Sequence, residues 1–131
     1  MKRLIIILFV ITIIFTGCSM DKNEPNSKDT AYKKISAEDA KAIIDSEEVI
    51  ILDVRTQEEC NSGHIENAVL LPVNEIKDNA DEILADKNAK ILVYCRSGNR
   101  SATASKELIE MGYTNVYDFG GIISWPYEVV K

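Results

Sequence analysis

Cysteine, histidine and positive charge are all scarce in this chain, and no apolar run in it is long enough to cross a membrane. Its 131 residues include three cysteines, one histidine and one tryptophan. Three cysteines do not make a disulfide framework, and their spacing is not that of a metal site. Lysine and arginine number 15 against 21 acids, for a net charge of -6 and a pI near 4.8. An acidic chain repels phosphate backbones, so nucleic acid is not an expected partner. No internal repeat is present, which sets aside solenoids and propellers. What remains is an ordinary globular balance, 46% hydrophobic and 27% charged, at a length that suits one domain.

The N-terminus reads as an address rather than as fold. Lys2 and Arg3 precede an apolar run from Leu4 to Phe15. Its 12 residues fall short of the roughly 20 that a spanning helix needs, and suit a signal-peptide core. "FTGC", residues 15–18, follows. It resembles the lipobox of bacterial lipoproteins, with Thr16 and Gly17 before a cysteine that becomes lipid-modified, although Phe15 stands where Leu is usual. The resemblance implies a signal peptide over 1–17, lipidation at Cys18, and attachment to the extracytoplasmic face of the cell membrane through that lipid. Residues 18–32 are polar and without apolar period, as a flexible tether would be.

Beyond the tether, strand and helix patterns alternate. Ser36 caps a helix whose Ala40, Ile43 and Ile44 share a face. "VIILD" (49–53), "AVLLP" (68–72) and "KILVY" (90–94) read as buried parallel strands. "TQEE" (56–59) matches a capping box. Helices are expected over 74–84, with Ile76, Ile83 and Leu84 available for burial, and over 100–111, stopped by Gly112. "NVYDF" (115–119) is the last strand. The alternation implies an α/β fold with a mostly parallel sheet, whose ligand sites lie beyond the carboxyl ends of the strands.

Cys95 stands at such an end, in "YCRSGNRSA" (94–102). Four residues separate it from Arg100, which is expected to open a helix. Gly98 supplies the freedom a tight loop needs, and a loop curling into a helix N-terminus aims its N–H groups at one point. Arg96 and Arg100 add a positive island in an acidic chain. This setting favours thiolate over thiol and makes Cys95 a candidate nucleophile in an anion cradle.

These residues resemble the single-domain rhodaneses, which are sulfurtransferases. The matching pieces are "ILDVRTQEE" (51–59), "SGHIENAVLLP" (62–72), "ILVYCRSGNRSATAS" (91–105) and "GYTNVYDFGGIISW" (112–125). The resemblance covers nearly all of 33–131. It implies a three-layer fold, a five-stranded parallel sheet in the order 3-2-4-5-1 between helices. It also implies a mechanism: Cys95 takes the outer sulfur of thiosulfate or another small sulfur-containing anion, becomes a persulfide, and passes that sulfur to cyanide or a thiol. The backbone of Arg96, Ser97, Gly98, Asn99, Arg100 and Ser101 would hold the persulfide. Neither metal nor organic cofactor is needed, and a monomer suffices.

The resemblance further implies that Asp53 and Arg55 fix the active loop by hydrogen bonds and an ion pair. It makes His64 structural, and Trp125 with Gly120-Gly121 a cover for the core edge. Glu66 and Asn67 replace the usual Pro-Gly, which changes a turn. Cys60, where an aromatic is usual, is either a small buried group or a resolving thiol. Two other functions stay open: a phosphatase or arsenate reductase of the same fold, which would have five residues rather than four between cysteine and arginine, and a non-catalytic sulfur-carrier or binding module, which would commonly lack the cysteine.

Overall fold

The computed structural model describes residues 31–131. The signal peptide, Cys18 and nearly all of the tether lie outside the described residues. Among the described residues, no helix is long and apolar enough to cross a membrane.

The chain runs β1 (Lys33–Lys34), α1 (Ala37–Ser46), β2 (Ile50–Asp53), α2 (Gln57–Asn61), β3 (Val69–Leu70), α3 (Ile76–Ile83), β4 (Ile91–Cys95), α4 (Asn99–Glu110) and β5 (Val116–Gly121). The strands form one parallel sheet in the order β1-β5-β4-β2-β3. Read from the other edge, this is the 3-2-4-5-1 order implied by the resemblance. Side chains alternate across β4. Ile91, Val93 and Cys95 join Ile76, Ala80, Ala104 and Leu108 of α3 and α4 on one face. Leu92 and Tyr94 join Ala40 of α1 with Phe119 and Trp125 on the other. The molecule is therefore three layers with an apolar core on each side of the sheet.

The caps form as their residue types dictate. The Ser36 side chain accepts from the N–H of Asp39 at 3.0 Å. Thr56 and Glu59 close a reciprocal capping box at the start of α2. Two expectations need correction. "AVLLP" is not a buried strand: only Val69–Leu70 pairs, at the sheet edge, and Val69 is exposed. Ile83 is exposed too, because α3 turns Ile76 and Ala80 inward while Leu84, just beyond the helix, takes the core position.

β2 and β4 are neighbours, and the chain winds outward from them in opposite directions, to β3 on one side and to β5 and β1 on the other. A crevice opens at such a reversal, beyond the carboxyl ends of the two strands. Cys95 ends one of them and Asp53 the other.

Candidate active site

Cys95 ends β4 and is 1% exposed. The N–H of Gly98 donates to its Sγ at 3.0 Å. Gly98 has φ 105°, which a side chain would strain, and it is the N-cap of α4. The helix opens at Asn99, one residue earlier than expected, directly after the residue whose N–H meets the sulfur. A turn that points backbone donors at an anion, with a helix N-terminus behind it, is a cradle for negative charge.

The loop is braced from β5. Cys95 pairs with Gly121 across an irregularity in the β4–β5 register. A Cβ on Gly121 would lie 2.1 Å from the Arg96 carbonyl oxygen, so only glycine permits this approach. The N–H of Ile123 donates to that carbonyl at 3.2 Å. Ser101 is fully buried and its hydroxyl donates to the Gly98 carbonyl at 3.0 Å. It steadies the turn from within. Arg96, Ser97 and Asn99 are exposed.

Arg100 is not free. Its Nη1 and Nη2 donate to the two carboxylate oxygens of Glu59 at 2.7 and 2.8 Å. That pairing holds the Glu59 carboxyl down at about 2 and pushes Arg100 up. Of the two arginines the sequence suggests for a positive island at Cys95, Arg100 is therefore compensated by Glu59, while Arg96 is exposed and makes no ion pair among the described residues.

Asp53 and Arg55 form a buried pair at the same end of the sheet. Arg55 Nε and Nη2 donate to Asp53 Oδ1 and Oδ2 at 2.9 and 2.6 Å. Burial is the largest single influence and works against the Arg55 charge, but the hydrogen bond and charge of Asp53 together with Tyr94 outweigh it, and the net shift is upward. The pair's remaining bonds differ from those implied by the resemblance. Arg55 Nη2 donates to the Gly63 carbonyl at 2.8 Å, and Tyr94 donates its hydroxyl to Asp53 Oδ2 at 2.8 Å. None of the side-chain hydrogen bonds of Asp53 or Arg55 among the described residues reaches 96–101. The pair connects to the strand that carries Cys95 through Tyr94, the residue before it.

The model of the Rhodanese-like domain matches residues 36–126. The chain belongs to the rhodanese family. The thiosulfate sulfurtransferase PspE of Escherichia coli (strain K12) is 38% identical over 80 residues, 61% of this chain and 77% of that one. The thiosulfate sulfurtransferase GlpE of Coxiella burnetii (strain RSA 493 / Nine Mile phase I) is 34% identical over 95 residues, 72% of this chain and 87% of that one. The crystal structure of a rhodanese-related protein from Thermoplasma volcanium superposes with a TM-score of 0.66 at 34% identity, covering 76% of this chain and 98% of that one.

Within this rhodanese domain the other singled-out residues take supporting places. His64 Nδ1 lies 3.1 Å from the Cys60 carbonyl, and its backbone pairs with Val130. Cys60 is buried and free, and burial followed by the nearby Asp53 carboxylate pushes its thiol up, which works against a nucleophilic role. Asn67 adopts φ 66°, where the family's usual residue is glycine; asparagine tolerates that region better than most residues. Trp125 packs on Phe119 at 5.4 Å between centroids, and Phe119 on Tyr94 at 5.4 Å, so the C-terminal segment supports the strand that carries Cys95.

Two residues at the site were not singled out as site residues from the sequence. Glu59 read as a capping residue, a role it keeps, but its bond to Arg100 spans 41 positions and has no local signal. Tyr94 read as one apolar position of a strand. A cavity of about 320 Å³ borders the loop, lined by Ser97, Gly98, Asn99, Lys34 and Gly120 among others. A larger one of about 650 Å³, between α1 and the C-terminal segment, is lined by no residue of the loop. Among the described residues, no cluster of side chains could hold a metal ion.

Proposed function

We propose that this rhodanese is a monomeric sulfurtransferase that moves sulfane sulfur from thiosulfate, or a similar small anion, to cyanide or a thiol through a persulfide on Cys95. The observation that carries the reading is the Gly98 N–H on Cys95 Sγ at 3.0 Å, at the mouth of a helix N-terminus. The sulfur attacks the outer sulfur of thiosulfate. A new S–S bond forms, the old one breaks, and sulfite leaves with the bonding pair. Cyanide carbon or a thiolate then attacks the outer sulfur of the persulfide, and the Cys95 thiolate departs with its electrons. Both steps keep negative charge on sulfur beside the same backbone donors, so one preorganised cradle serves both. The names of the sulfurtransferase relatives support the donor class. The four-residue separation of Cys95 and Arg100 supports sulfur over phosphate chemistry.

The test is thiocyanate formation from thiosulfate and cyanide by the wild type and Cys95→Ser. Activity is expected only with the cysteine; undiminished activity in the serine variant would refute the mechanism.

We also propose, from the sequence of residues 1–32, that the chain is processed before Cys18 and held by lipid at the extracytoplasmic face of the cell membrane. Several acyl chains anchor firmly where one does not. Fractionation of wild type and Cys18→Ala tests this. Wild type should partition with membranes and Cys18→Ala should lose its lipid label; a soluble, unlipidated wild type refutes the anchor.

A further inference from the structure

The two arginines of the Cys95 loop look equivalent in sequence and are not equivalent in structure. Arg96 is exposed and makes no ion pair among the described residues. Arg100 is held at both terminal nitrogens by Glu59, at 2.7 and 2.8 Å. Glu59 is itself fixed: the Thr56 N–H and hydroxyl donate to its Oε2 at 3.0 and 3.1 Å. The carboxylate therefore cannot easily follow the guanidinium toward the loop. Arg100 nonetheless lies in the first turn of α4, which starts directly after the Gly98 whose N–H meets Cys95 Sγ.

Building on the sulfurtransferase reading, we propose that Glu59 is a specificity-determining residue: by holding and neutralising Arg100, it keeps the Cys95 loop from trapping compact oxyanions such as phosphate and sulfite. A free Arg100 guanidinium beside a helix N-terminus would bind any such anion well. Phosphate would then compete with the donor, and sulfite would linger after the first half-reaction. Tight binding of product and bystander anions does nothing to lower the chemical barrier. With Arg100 neutralised, the backbone donors remain, enough to receive the donor and weak enough to release sulfite.

The test uses the full-length protein and Glu59→Gln. Glutamine can keep the α2 capping box, so the helix is retained. Iodoacetamide alkylation of Cys95 is followed by peptide mass spectrometry across a phosphate series, which separates it from Cys18 and Cys60. The phosphate concentration that half-protects Cys95 should fall about fivefold or more in Glu59→Gln, the scale of one partly exposed charge. In turnover assays both KM for thiosulfate and kcat should fall, and sulfite should inhibit at lower concentration. Adding Arg100→Gln should abolish the gain in phosphate protection. A purely structural role would lower kcat without moving the phosphate series. Unchanged phosphate protection in Glu59→Gln, or a gain that survives Arg100→Gln, overturns the proposal. Phosphate protection needs no sulfur transfer. A wild type without transfer that still shows the shift would remove the proposed function and leave the role of Glu59 standing.

Discussion

Tyr94 does more than fill space beside Cys95. It is fully buried, accepts the Ile65 N–H at 3.1 Å and donates to Asp53 at 2.8 Å. Burial first, then the neighbouring Asp53 carboxylate, pushes its hydroxyl well above the usual tyrosine range, so it remains a donor. Phenylalanine would fill the same volume and leave the Ile65 N–H without its acceptor. Tyr94→Phe should therefore cost about 1–3 kcal/mol in urea unfolding, the usual cost of one orphaned buried donor. An unchanged midpoint would mean that water or another group satisfies that N–H. Glu59 makes a prediction in pH. Its carboxyl, ordinarily at 4.5, is lowered to about 2 by Arg100, so pairing stabilises the fold fully above 4.5 and is lost as pH falls through about 2. The stability advantage of wild type over Glu59→Gln should be level above 4.5 and shrink between 4.5 and 2. An advantage that stays constant through that window would show that the pair is not formed in solution.

At the scale of elements, the loop is shaped as much by β5 as by its own residues. Cys95 pairs with Gly121, and the register slips between Val93 and Cys95 so that β5 carries the extra residue. A bulge of this kind re-aims the chain where a site needs it. Gly121→Ala would set a methyl group 2.1 Å from the Arg96 carbonyl and force the loop outward. Displacement of about 1 Å at a reacting group can cost about 100-fold, so kcat/KM should fall on that order, and the melting temperature should fall as well because the clash is with backbone. A fully active alanine variant would show that the loop position is not critical. Much at this scale was legible from short-range chemistry: the Ser36 and Thr56 caps, the β4 strand before Cys95 and the Gly112 stop each depend on neighbours within a few residues. The edge strands were not legible to the same degree. β1 and β3 are two residues each, too short for a period, and "AVLLP" reads as buried because its apolar run does not reveal an edge. The Glu59–Arg100 and Asp53–Tyr94 bonds each join residues 41 apart, and no local pattern announces them.

At the scale of the molecule, the sheet order puts β2 and β4 side by side, so the Asp53–Arg55 pair and the Cys95 loop meet at one end. The aromatic stack of Tyr94, Phe119 and Trp125 ties the C-terminal segment to the other face of that sheet. In a chain of net charge -6, this end presents the Gly98 N–H to the Cys95 sulfur. The central claim is that sulfur resides on Cys95 between donor and acceptor. Its most direct test is peptide mass spectrometry of the full-length protein after thiosulfate treatment without acceptor. The Cys95 peptide should gain the mass of one sulfur atom and lose it on adding cyanide, and Cys95→Ser should gain none. Added sulfur found on Cys60 instead, or thiocyanate formed while the Cys95 peptide stays unmodified, would contradict the account.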